Sequence, residues 1–411
     1  MKYGLDFGTS NSDISYNNGN SVEVLPIEPT SRAKEIMASL WFFDYEDEFW
    51  SFGKSAYEQY TETLGEGRLI QSLKKYLSDP TLKNTYVHKR TVDFDELVML
   101  FLKEMKEKAD QLTGEDVRNV TIGKPVNFSD SGKNDIALQR IEKGAQDAGF
   151  KNISFMFEPL AATYSFKQRI SEQANIFTLD IGGGTTDISI VRISTDDSRD
   201  EVLTTQGINV GGVDFDGKII RHRLLHYFGD GLTYDSTRMD GGEFPRALLF
   251  PLTDRYKIFT LVNSRKYLDD LQRAFYGLID PDGKTKALEY LIHQQLGLEL
   301  FDAVELAKIE LSNSGSATIS YRKGPIDIEE QLTREDFNNY ISDYTDRISN
   351  LILSSLAAAK LEPGQIDKIL LVGGSSKIPA FRNMVTMFFP EAEILGVNEM
   401  TSIAHGLGHT R

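Results

Sequence analysis

The stretch LDIGGGTTDIS, residues 179–189, sets three consecutive glycines between two apolar, β-branched runs, IFTLDI and DISIVRI. Residues 5–15, LDFGTSNSDIS, align with it without a gap: Leu, Asp and Gly recur at the front and Asp-Ile-Ser at the back. Strand formers on both sides of each loop predict two hairpins of one design. A chain that writes the same hairpin twice is constrained to two halves of similar plan, each presenting one loop to a shared site. A two-residue turn prefers Asn-Gly or Asp-Gly, so a loop of three glycines and a threonine is unusual for a turn that only reverses the chain.

Backbone amides hold a phosphate chain where side chains are absent, and glycine supplies that clearance together with access to positive φ. Thr9, Ser10, Thr185 and Thr186 add hydroxyl donors. Asp6 and Asp180 close the first strand of each hairpin and are expected to face the phosphates across a cleft. Two carboxylates beside a triphosphate repel it unless a divalent cation lies between them, and hard oxygen ligands suit magnesium. The pair predicts a magnesium-nucleotide site.

Composition narrows the partners. With 411 residues and 40% hydrophobic content, the chain can build two or three domains with sizeable cores. Its net charge of -16 and lack of a Lys/Arg-rich run argue against nucleic acid or an anionic membrane surface. Cysteine is absent, which removes disulfides, thiolate chemistry and cysteine zinc sites. Asp6 interrupts the N-terminal apolar run, and no segment approaches the ~18 uninterrupted apolar residues of a membrane span. A cytoplasmic location is the expectation.

Along the chain, the first hairpin, SVEVLPI and SLWFF read as strands of one sheet. From about residue 35 to 113 the spacing turns helical, most clearly in DFDELVMLFLKEMKEKADQLTG, with Asp93 or Asp95 to cap its start and Gly114 its end. NVTIGKPVNF predicts a strand and its exit loop, NDIALQRIEKGAQDAGF an amphipathic helix ending at Gly149, and ISFMFEPLAATYSF a strand turning to helix at Glu158, with Pro159 in the first turn. The second half repeats the plan: a strand, the Gly211-Gly212 turn and a helix carrying Asp214; a less regular stretch from 229 to about 330 with helices at SRKYLDDLQRAFYG and LELFDAVELAKIELS; then DKILLVGGSSKIPAFRNMV, a strand, a Gly-Gly turn and a helix.

YGLDFGTSNS, EPLAAT, LDIGGGTTDIS, GGVDFD, ELAKIELS and LVGGSSKIP stand in the order found in the nucleotide-binding domain of the seventy-kilodalton heat-shock chaperones, the DnaK-like proteins of the actin and sugar-kinase superfamily. The resemblance implies an α/β, two-lobed actin-like ATPase fold of duplicated ribonuclease-H-like domains. Lobe I would hold 1–172 plus 396–411, with an inserted subdomain at about 36–117; lobe II would hold 173–395, with one at about 229–330. It also implies roles. Gly8, Thr9, Ser10 and Gly182, Gly183, Gly184, Thr185 resemble the two phosphate loops, and Asp6 and Asp180 the carboxylates that hold magnesium through its waters. Glu158 and Asp187 resemble the acidic groups around the attacking water. SLKKYL is similar to the catalytic-lysine segment and puts Lys74 in that place, with Lys75 as the neighbouring option. Gly211 and Gly212 belong to the nucleotide-binding set, Gly373, Gly374, Ser375 and Lys377 to the adenosine turn, and Glu305, Lys308 and Ser312 to the ribose and adenine contacts.

Where the family sets arginines on both faces of the adenine, this sequence has Ile309 and Lys377, so a loosely held base is expected; NEMTSIAHGLG also lacks the family's Pro-Asp-Glu run. Nothing here resembles the family's peptide-gripping β-sandwich or helical lid, and the resemblance is to truncated, ATPase-only forms. The implied function is a weak ATPase that binds ATP or ADP with magnesium and acts through nucleotide-dependent lobe closure on a protein partner. It would hold no peptide client in the family manner. A small-molecule kinase of the same superfamily and an actin-like filament former are the alternatives. Without the resemblance, SLKKYL reads first as a solvated helix and ELAKIELS as an ordinary amphipathic one.

Overall fold

In the computed structural model the described residues are 1–31, 33–63, 66–128, 134–167, 170–194, 200–235, 242–255, 257–258, 261, 264–395 and 401–409. Contacts divide the chain into two compact units, Met1–Gly212 with Asp346–Arg411, and Val213–Thr345.

In the first unit the two hairpins each sit at the centre of a sheet. Lys2–Phe7 pairs antiparallel with Asn11–Asn17, which pairs antiparallel with Val22–Val24; on its other side it runs parallel to Asn119–Lys124, itself parallel to Asn152–Phe157. Ala174–Ile181 does the same: antiparallel to Thr186–Ile193 and through it to Glu201–Ile208, parallel to Lys368–Val372 and through it to Glu393–Leu395. The duplicated sequence therefore lies within duplicated sheets, down to the register: Asp6 stands opposite Asp13 and Asp180 opposite Asp187.

Helices Glu158–Phe166 and Ser402–Gly408 pack together and on strands of the sheets. Their small apolar residues Ala161 and Ala162 share a core with Leu407, Ile176, Val191 and Val372. Thr163 and Thr178 hydroxyls lie 2.8 Å apart, and the Ser15 hydroxyl donates to the Ala404 carbonyl at 2.5 Å. Buried hydroxyls paired in this way hold the elements in register without leaving unsatisfied groups. Asn398, Glu399 and Met400 of the segment NEMTSIAHGLG lie outside the described residues.

Two expectations need correction here. SLWFF is not part of the first sheet: Leu40–Asp44 is the centre of a separate three-stranded sheet, between Trp50–Phe52 and Gly67–Gln71. Nor is 35–113 uniformly helical: among its described residues only Gly53–Glu62 and Phe94–Thr113 are α-helices, while Asn84–Val87 and Arg90–Asp93 form a hairpin. The strand Leu40–Asp44 is buried on both faces, so it shows no alternation to read. Trp41 fixes it to the long helix by donating its indole N–H to the Leu97 carbonyl at 2.8 Å. That helix ends at Gly114, φ 73°, while Asp93 occupies the N-cap position without a side-chain bond to the helix.

The second unit contains helices Arg265–Phe275, Lys284–His293 and Gly297–Asn313, the first and last of them expected. It also contains an unexpected hairpin, Ser316–Lys323 with Ile326–Thr333, followed by helix Arg334–Tyr340 behind a Thr333/Asp336 capping box.

Candidate functional site

Both hairpin loops open on one cavity of about 330 Å³ inside the first unit. Gly8, Thr9 and Ser10 line it from one side, and Gly182, Gly183, Gly184 and Thr185 from the other. The loops touch: a Cβ built on Gly183 would stand 2.3 Å from the Ser10 hydroxyl oxygen. None of Gly8, Gly182, Gly183 and Gly184 takes a left-handed φ, which corrects the expectation of positive φ here. Clearance, not φ, favours glycine at 183, because an added methyl would force the Ser10 hydroxyl aside. Gly373 differs, with φ 79° and a Cβ position 2.3 Å from the Ile181 carbonyl oxygen, so the Gly373-Gly374 turn is pressed against the end of the Asp180 strand.

The loops are held by their own hydrogen bonds. The Gly182 amide donates to the Thr185 carbonyl at 3.0 Å, and the Gly212 amide to the Gly182 carbonyl at 2.9 Å, which seats the Gly211-Gly212 turn beside the second loop. In the first loop the Gly8 amide donates to the Ser12 hydroxyl at 3.2 Å, and the Ser39 hydroxyl to the Gly8 carbonyl at 2.8 Å. Thr186, expected to offer its hydroxyl to an anion, is fully buried and donates it to the Val210 carbonyl at 2.7 Å. Ser375 is buried and Lys377 exposed at the following short helix, and neither lines the cavity.

The floor is acidic. Asp6, Asp13, Glu158 and Asp180 line the cavity, and Asp187 is buried opposite Asp180 at the loop end of the second hairpin. Lys74, on a short helix that follows Ser72 in a left-handed conformation (φ 55°), is buried and places its ammonium 2.6 Å from Glu158 Oε1. Lys75 lines the same cavity. Burial alone would lower the Lys74 ammonium, but Glu158, Asp6 and Asp187 outweigh it and hold it above its usual value. Burial, then the Glu158 charge, pushes the Asp6 carboxyl up to about 7 against the pull of Lys74, and the same two causes push Asp187 to about 7. Asp180 is raised well above the carboxylate range by burial and then by Glu158, and Asp13 by burial and then by Asp6.

Asp6 Oδ1, Asp13 Oδ1 and Asp187 Oδ2 are buried without a hydrogen-bond partner. Orphaned carboxylate oxygens crowded at that density call for a cation, and their chemistry fits magnesium. Among the described residues no three or more His, Cys, Asp or Glu side chains gather closely enough to clasp a bare ion. An ion held by this donor set would keep part of its water shell.

Glu305, Lys308 and Ser312 lie in the second unit, on helix Gly297–Asn313. There Lys308 pairs with the buried Asp216 at 2.8 Å, and Arg255 pairs with Glu305 at 2.9 Å. Ile309 on this helix is exposed. Asp13 is the acidic cavity residue that sequence reasoning passed over, although the gap-free repeat sets it in the place of Asp187. Pro125, Phe128 and Asn209 also line the cavity, from loops that carry no such signal.

Known proteins give a consistent comparison. The family model for the Hsp70 protein matches residues 52–238 and 279–408. Chaperone protein DnaK of Thermosipho melanesiensis and that of Thermosipho africanus are each 27% identical over 412 residues, covering 98% of this chain. The chain spans 57% of the length of these relatives.

Proposed function

The chain belongs to the Hsp70 family, and from that premise we propose that its cleft binds ATP with magnesium and hydrolyses it slowly, with water as the acceptor. The observation that carries this reading is the meeting of two duplicated glycine loops over buried carboxylates and one buried lysine. In this reading the loops cradle the phosphates, and Asp6 and Asp180 hold the hydrated cation, which supplies charge neutralisation at the phosphates. Glu158 and Asp187 orient the attacking water, Asp187 accepting its proton, and Thr185 contacts the terminal phosphate. Lys74, fixed by Glu158, stabilises the charge that develops on transfer. The resemblance assigns Gly373, Gly374, Ser375 and Lys377 to adenosine, and Glu305, Lys308 and Ser312 to ribose and adenine, and those assignments are part of the proposal.

The lobes are proposed as 1–172 with 396–411, and 173–395, closing on the nucleotide and opening after hydrolysis. The output is then a nucleotide-dependent contact with another protein, in the cytoplasm; among the described residues no helix is long and apolar enough to cross a membrane.

The test is single-turnover phosphate release. Purified protein with ATP and magnesium, and no added acceptor, should release phosphate slowly, and Lys74→Ala should abolish release while nucleotide binding is largely kept. Unaltered release in Lys74→Ala removes that residue from the mechanism. A metabolite that becomes phosphorylated and raises turnover by orders of magnitude makes the protein a small-molecule kinase instead.

A further inference from the structure

The first hairpin carries a carboxylate that the proposed mechanism does not use. Asp13 stands directly opposite Asp6 in the antiparallel register, so both side chains lie on one face of the sheet, where like charges repel. Both line the cavity, Asp13 at 3% exposure and Asp6 at 8%, and each has an Oδ1 with no hydrogen-bond partner. The matching pair in the second hairpin is satisfied in part: Asp187 Oδ1 accepts the Val126 amide at 2.9 Å, while its Oδ2 has no partner. Lys74, the buried cation that acts on Asp6, is committed to Glu158 at 2.6 Å. The same cavity is lined by further oxygen donors, Thr9 and Ser10 from the loop that joins the two strands of the pair and Asn11 at the start of the second strand.

We propose that Asp13 and Asp6 hold a second hard divalent cation in the cleft, with Asp6 shared between it and the ion assigned to Asp6 and Asp180. Two opposed carboxylates among neutral oxygens make an oxygen-only donor set that suits magnesium or manganese, with water completing the shell. A doubly charged ion removes the repulsion within the pair and offsets part of the charge of a bound polyphosphate. The inference rests on the nucleotide reading of the same cleft.

The test counts manganese by the loss of its free spin-resonance signal, with a non-hydrolysable ATP analogue present and potassium held at a fixed high concentration. Wild type should bind two manganese ions per chain. Asp13→Asn and Asp13→Ser should each bind one, with melting curves showing that they are folded. One ion in wild type overturns the proposal, whether a shared proton or potassium occupies the pair instead, and so do two ions in a folded Asp13 variant. If neither variant folds, the wild-type count decides. Analogue bound with a single ion sinks the second site alone, whereas no binding of the analogue at all sinks the nucleotide reading as well.

Discussion

Lys74 and Glu158 are both buried and 2.6 Å apart, so neither can be altered without consequence for the other. Removing one partner of a buried ion pair strands the other charge, at a cost of about 3–5 kcal/mol. Lys74→Ala is therefore expected to lower unfolding free energy by about that amount, and adding Glu158→Gln should recover part of it. Denaturant melts of the single and double variants measure this; a double variant no more stable than Lys74→Ala would mean the two charges do not depend on each other. Asp180 makes a separate point, because its proposed partner is the hydrated cation. Asp180→Asn should weaken magnesium-ATP binding far more than magnesium-free ADP binding, and equal losses by calorimetry would leave the residue a structural role only. The choice of Lys74 over a solvated helix lysine could not be read from SLKKYL, since burial of a four-residue helix depends on elements far away in sequence.

At the scale of elements, the glycine loops depend on each other's size. A methyl group on Gly183 would meet the Ser10 hydroxyl at 2.3 Å. Gly183→Ala should weaken nucleotide binding, and Ser10→Gly in the same chain should relieve the clash and restore melting temperature toward wild type. A Gly183→Ala protein with unchanged melting and affinity would show that the loops are not pressed together. The hairpins, the strand-to-helix change at Glu158 and the helix end at Gly114 were legible because period and glycine punctuation act locally. The sheet built on Leu40–Asp44 was hidden by burial on both faces. The hairpin Ser316–Lys323 with Ile326–Thr333 alternates cleanly, and its charged outer face, Arg322, Asp327 and Glu329 among it, disguised a period of two as a polar stretch. Asp13 was legible in principle, since the repeat that revealed Asp187 contains it. The commitment of Thr186 to Val210 was not, because it depends on a carbonyl 24 residues away.

For the whole molecule, the buried carboxylates tie stability to pH. Asp6 and Asp187, raised to about 7 in the fold, bind protons more tightly folded than unfolded. Their contribution is fully present below the ordinary carboxylate range and is lost as pH rises through about 7. Magnesium-free protein should thus melt lower at about pH 8 than at about pH 5, and Asp6→Asn should flatten the difference. Magnesium with nucleotide, which favours the ionised forms, should raise the melting temperature more at the higher pH. Scanning calorimetry across that range decides it, and a flat wild-type profile without magnesium would contradict the burial of charge.

Matching strand order and register in the two sheets also bear on direction. Two copies of one motif meeting at a single ligand give no reason for a molecule with a head and a tail to lie one way round rather than the other. The sense of binding must come from where the copies differ. After the parallel strand beside the first hairpin the chain continues as Pro125 and on to Phe128, whose bulk walls the cavity; after the equivalent strand beside the second it continues as Gly373 and Gly374, with no side chains at all. In the proposed reading a flat base lies over the bare turn and not over the walled one, and the unequal exits of two equivalent strands would then set the polarity of the nucleotide.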